Sequence, residues 1–227
     1  MWSLTIAALV FLAIHIGSST PLRGILVARL GEPAWMAVFS ALSLAAIVWL
    51  VWSYAALPPM EPLAQPHPAA RWIANVLMPI AFLFVVPGLL TPNPSVVGQG
   101  NVLRMGDVAG GINAVTRHPF FWGVAIWATA HLLNNLRPGD LVFFGSLGLL
   151  ALVGTVAVDL KKRRQLGADW LAYEARTSNL PFAAIIQNRA TLSLRSIGWW
   201  HVTIALLAWL VLLVLHPWLF GVSPLPA

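Results

Sequence analysis

Six histidines and no cysteine bound the chemistry open to this 227-residue chain. Without thiols there is no disulfide framework, thiolate zinc site, iron–sulfur cluster or cysteine nucleophile. His15 lies between Ile14 and Ile16, with Ser3 and Thr5 the only polar residues among those before it. His131 lies in Trp127-Ala128-Thr129-Ala130-His131-Leu132-Leu133, and Trp127, four positions earlier, shares its helical face. Neutral imidazole is a metal ligand, and two imidazoles on separate helices are one way to hold haem iron axially. The plainer alternative is that each ring bonds a carbonyl or hydroxyl inside a helical bundle. No carboxylate in the apolar stretches pairs with either, which favours a shared ligand.

Depth tests the pairing. At 1.5 Å per residue, His15 lies about 12 Å from the level of Arg23 and His131 about 20 Å from that of His118. Tilt and side-chain reach must absorb a gap of about 8 Å. His216, just before Pro217, matches His131 better in depth and is its reserve partner. His67 reads as loop surface. His201, after Trp199-Trp200, reads as interfacial.

The elements that carry these rings follow from composition. The chain is 59% hydrophobic and 9% charged, against roughly 25% charged in a soluble domain. A spanning helix needs about 20 mostly apolar residues to cross ~30 Å of hydrocarbon. Stretches free of Asp, Glu, Lys and Arg are Met1–Leu22, Ala34–Met60, Trp72–Leu103, Pro119–Leu136, Leu141–Val158 and Ser196–Ala227. They predict an all-α polytopic membrane bundle of about six transmembrane helices. Pro79 and Pro87 interrupt the third stretch, Pro92 and Pro94 end it, and Arg137-Pro138-Gly139-Asp140 reads as a tight hairpin turn. The first stretch lacks a basic leader and a clean small-residue cleavage site, so it is expected to be retained.

With six spans, eleven of the thirteen Lys and Arg residues fall on one side and only Arg71 and Arg137 on the other. The positive-inside rule then puts the eleven in the cytoplasm and both termini in the periplasm, for a multi-pass protein of the cytoplasmic (inner) membrane. One integral-membrane domain covers residues 1–227, with a core at 1–164, a cytoplasmic amphipathic segment at 159–195 and a last helix at 196–220. The run Lys161–Arg164 reads as a surface meeting anionic lipid headgroups and not as a nucleic-acid site.

Thr116-Arg117-His118-Pro119 opens the fourth stretch. Thr116 is placed to cap, and proline is tolerated in a first helical turn. Arg117 and His118 are then expected to face headgroups, or an anionic ligand in a cytoplasmic cleft.

Gly111-Ile112-Asn113-Ala114-Val115-Thr116-Arg117-His118-Pro119, then Trp127, Ala130-His131-Leu132-Leu133 and Phe144-Gly145, resemble the core of the NnrU family, with His15, Arg23 and Gly31-Glu32 in its first segment. The resemblance implies a membrane protein linked to denitrification and nitric oxide metabolism. The same core is similar to the plant zeta-carotene isomerases, membrane enzymes carrying haem b, and by motif their histidine ligands fall on His15 and His131. More distantly, Arg117-His118-Pro119, Leu166-Gly167-Ala168-Asp169-Trp170, Tyr173 and Leu180-Pro181 resemble the isoprenylcysteine and phospholipid methyltransferases. The glutamate pair of that group falls on Val158-Asp159, and a valine cannot supply the lost acceptors.

The expectation is therefore a haem b protein with axial ligands His15 and His131, with Arg117 and His118 as further cofactor-binding residues. Its chemistry would be redox or nitric-oxide-linked, or isomerisation of a lipophilic polyene, with membrane lipid and a redox protein as further partners. The alternatives are a lipid-directed methyltransferase using S-adenosylmethionine, Arg117, His118 and Asp159, or a non-enzymatic accessory membrane protein.

Overall fold

A computed structural model describes residues 1–104 and 106–225, and among them no strand forms. Apolar runs become helices because a helix satisfies its own backbone away from water. They are α1 (Trp2–Gly17), α2 (Leu22–Leu30), α3 (Glu32–Ala55), α4 (Ala70–Leu90), the short α5 (Ile112–Val115), α6 (Pro119–Leu132), α7 (Pro138–Leu166), α8 (Ala168–Arg176), the short α9 (Ala183–Ile186) and α10 (Leu194–Ile197), and α11 (Trp199–Phe220).

Loop contacts sort the chain into two ends. At one, Ser3 Oγ lies 2.8 Å from Ser53 Oγ, Leu63 N–H donates to Leu136 O, and Asn75 Nδ2 donates to Pro224 O. At the other, Arg164 reaches Ser19 O, Lys162 reaches Val96 O, and Gly111 N–H donates to Ser196 Oγ. The chain therefore passes between the ends six times, through α1, α3, α4, α6, α7 and α11. Arg71 and Arg137 sit at the first end and the remaining basic residues at the second.

The passes are unequal. Among the described residues only α3, α4, α7 and α11 are long and apolar enough to cross a membrane, and a fifth span results if α1 and α2, bent by 76°, are taken together. The expected fourth span stops at Leu132, leaving α6 with 14 residues, about 21 Å of rise against ~30 Å of hydrocarbon. α6 packs between α4 and α7. Neither Pro79 nor Pro87 breaks α4, since packed neighbours in a bundle can accommodate the lost hydrogen bonds. α7 outruns its apolar stretch at both ends, starting at Pro138 and carrying Lys161–Arg164 as its last turns until Gly167 turns the chain at φ +55°. The expected amphipathic segment is thus the end of α7, then α8, then loop and short helices.

Close approach of α4 and α6 depends on glycine. A Cβ at Gly123 would lie 2.5 Å from Val85 Cγ2 and 2.9 Å from Ala81 O, and one at Gly88 would lie 2.8 Å from Phe120 N. Small residues let helices pack where burial against lipid drives little. The apolar core gathers Leu4, Phe11 and Ala8 of α1, Ala46 and Leu50 of α3, and Phe143 and Phe144 of α7. Along α11 only Ala205 is buried, so its outer faces are apolar and exposed, as a lipid contact requires.

Candidate functional site

The two histidines singled out by sequence sit on the rim of this core. His15 Nδ1 is 2.8 Å from Phe11 O, and His131 Nδ1 is 2.9 Å from Trp127 O. A carbonyl only accepts, so each Nδ1 carries the proton and each Nε2 is left with its lone pair, the form in which imidazole binds a metal. Trp127 and His131 do share a face, with ring centroids 4.7 Å apart. His131 also stacks on Phe144 of α7 at 4.8 Å, while His15 lies against Phe11 and against Phe39 of α3. Both α1 and α6 pack on α7, and Phe11 and Phe144, the ring neighbours of the two histidines, belong to one apolar cluster. The donor chemistry thus suits axial ligation of a haem iron, but no direct His15–His131 contact joins the rings. His216 lies within electrostatic reach of His131, and its own Nδ1 is 2.8 Å from Val222 O. Among the described residues no group of three or more His, Asp or Glu side chains could hold a bare metal ion.

At the arginine-rich end a second cluster forms. Pro119 at the first position of α6 fixes where that helix starts, and the two residues before it turn inward. Arg117 and His118 are 8% and 1% exposed; of the two settings expected, headgroups are excluded by this burial, and both side chains face Asp159 of α7, with Arg117 also lining an open cleft. Arg117 Nε donates to Asp159 Oδ1 at 2.9 Å and Nη2 to Oδ2 at 2.6 Å. His118 Nε2 donates to Oδ1 at 2.6 Å, and Asn179 Nδ2 to Oδ2 at 3.3 Å. Arg117 Nη2 is also 3.1 Å from Glu174 Oε1 of α8, which accepts in turn from Arg163. A planar guanidinium matches a carboxylate along two parallel bonds, which suits it to such a site.

Asparagines fix this cluster in place. Asn113 Nδ2 donates to Pro92 O and Val108 O, and its Oδ1 accepts from Asn93. Asn93 and Ser95 both donate to Arg117 O. Thr116 is not the helix cap expected of it. Its hydroxyl donates to Asn179 O at 2.5 Å and accepts the His118 N–H at 3.2 Å. Burial holds the His118 imidazole below its ordinary value, with the Asp159 carboxylate opposing. The direction is sensible, because Nδ1 of His118 is buried without a partner among the described residues and a proton there would be an unsatisfied donor. Burial likewise pushes the Tyr173 hydroxyl up.

Sequence reasoning reached Arg117, His118 and Asp159 but not Glu174, Asn179, Asn93 or Asn113 as their partners. An open cleft of about 640 Å³ lies outside the cluster, lined by Arg117, Arg163, Glu174, Ser178, Asn179 and Arg189 among others. Both Asp159 oxygens are occupied by the chain's own donors, so this carboxylate offers little to a bound ligand.

Fold and site together define an all-helical membrane protein with lone histidines on the rim of an apolar core and a buried Arg–His–Asp cluster at one end. The chain belongs to the NnrU family, since the model of the NnrU protein matches residues 3–224. It is 30% identical over 202 residues to the chloroplastic 15-cis-zeta-carotene isomerase of Arabidopsis thaliana, covering 81% of this chain and 50% of the relative. The chain thus spans about half the length of that relative. No solved structure matches it.

Proposed function

We propose that this protein is a membrane isomerase that changes the geometry of a double bond in a lipophilic polyene, using haem b held by His15 and His131. The homology to 15-cis-zeta-carotene isomerase is the observation that carries this reading, and family membership supports a membrane isomerase-type role. Two imidazoles with free Nε2 lone pairs on the rim of one apolar cluster supply a suitable ligand set. A haem bound there would supply an iron centre whose electron density the two imidazoles would tune. The residues of the chain keep the surroundings dry: Phe11, Trp127 and Phe144 exclude water from the rings. Arg117, His118 and Asp159 serve by locking α6 to α7, which sets the position of His131 thirteen residues further along α6. The arginine-rich end faces the cytoplasm and the membrane is the inner one. A redox role tied to nitric oxide, which the sequence resemblance implies, is the second reading.

The test is conversion. Purified protein in detergent, supplied with a zeta-carotene carrying a 15-cis bond, should yield the 15-trans isomer on chromatography, and His131→Ala should abolish the conversion. An unchanged substrate with haem-loaded protein, under both oxidising and reducing conditions, would contradict an isomerase.

A further inference from the structure

The last turns of α7 carry more positive charge than their surroundings neutralise. They meet the bent junction of α1 and α2, the start of α3 and the loop after α4: Arg164 Nη2 donates to Ser19 O at 2.6 Å, Arg23 of α2 pairs with Glu32, and Lys162 Nζ donates to Val96 O of that loop at 3.2 Å. Lys161 lies within electrostatic reach of Arg23, Arg164 and Glu32, and Lys162 within reach of Lys161 and Arg23. Among the described residues Glu32 is within reach of Arg23 and Lys161, while Lys162 and Arg164 have no carboxylate partner, so the corner keeps a net positive charge. Arg104, Arg117, Arg163 and Arg176, at the same end, each have a carboxylate partner.

Nor is the corner a freely solvated surface. Lys162 is 5% exposed, and an ammonium has three donors, of which Val96 O takes one. Like charges held together at partial burial repel strongly unless an anion joins them. The neighbouring α2 has no buried residue, exposes Leu22, Ile25 and Leu30, and turns 76° away from α1, the disposition of a helix lying along a membrane interface. Polar and apolar halves of one ligand are thereby provided for side by side.

We infer that the corner between α2, α3 and α7 binds the phosphate-bearing headgroup of an anionic membrane lipid, with the phosphoryl oxygens among Arg23, Lys161, Lys162 and Arg164 and the acyl chains beside α2. The inference is independent of the histidines and of the reaction proposed for them.

The full chain in detergent is mixed with phosphatidylcholine alone or with phosphatidylglycerol, and retained lipid is counted by native mass spectrometry. Wild type is expected to retain phosphatidylglycerol in preference to phosphatidylcholine. The variant R23Q/K161Q/R164Q should lose that preference by about tenfold or more, since each basic residue near an anionic headgroup contributes severalfold. A control, R29Q/R104Q/R195Q, removes three charges from the same end and should keep the preference. Displacement of the lipid by millimolar inorganic phosphate would support recognition through the phosphoryl group. Retention of inorganic phosphate without any lipid preference would overturn the lipid assignment in favour of a soluble anion. Equal retention of the two lipids by wild type, or equal losses in the two variants, would overturn the site, and the wild-type comparison stands even if the triple variant does not fold.

Discussion

At the level of single residues, Asp159 ties the cluster together, accepting from Arg117, His118 and Asn179 while 6% exposed. Removing one partner of a buried ion pair strands the other charge, which costs about 3–5 kcal/mol. Asp159→Asn is therefore expected to destabilise the protein by about 3 kcal/mol, seen as a lower melting temperature in detergent, with Glu174 retaining part of the hold on Arg117. His118 adds a pH dependence whose sign is fixed. Its folded value lies below 6.5, so the folded state keeps the ring neutral while the unfolded chain takes up a proton below pH ~6.5. The stabilisation is present above that pH and is lost as the pH falls through the folded value. Melting temperatures taken between pH 7.5 and 5 should drop, and His118→Gln, which retains a donor near the Nε2 position, should flatten the drop. Candidate residues could be picked out one at a time: His15 and His131 from their apolar settings, Arg117 and His118 from their place before Pro119. Their partners were not, because Glu174 and Asn179 follow no helical spacing from Arg117 and come to it only through the turn at Gly167.

At the level of elements, hydropathy located the helices but misplaced their ends. It registers charge, whereas a helix ends where its backbone hydrogen bonds end, so α7 ran on through Lys161–Arg164 and α4 ran through two prolines. The length of α6 could not be read from the absence of charge, because Leu133–Leu136 is uncharged but turns back at Asn134 and Asn135, whose side chains donate to Ala130 O and His131 O. The α4–α6 contact offers a direct check on the packing. Gly123→Ala introduces a Cβ against the backbone of α4 as well as Val85, and overpacking of this kind costs about 1–3 kcal/mol. A lowered melting temperature is expected, with a larger loss for Gly123→Val. An unchanged melting temperature for both would show that the two helices are further apart than described.

Across the whole molecule, the division of basic residues between loops foretold which loops gather at each end, whereas the helices long and apolar enough to span number four among the described residues, or five with α1 and α2 taken together, against the six expected. What the sequence could not supply is the way one cluster of aromatic and aliphatic side chains is shared by α1, α3 and α7, with α6 packed against it, because such contacts join residues far apart in the chain, Leu4 and Phe143 among them. That cluster is what makes His15 and His131 neighbours of one apolar region and not two unrelated interior histidines. The most direct measurement is the optical spectrum of the full chain purified from haem-replete cells. A Soret band in wild type, lost in His131→Ala and in His15→Ala while both variants still fold, is the predicted result. A band retained in His15→Ala but lost in His216→Ala would transfer the second ligand to α11, and a wild-type protein with no Soret band would contradict the proposed cofactor.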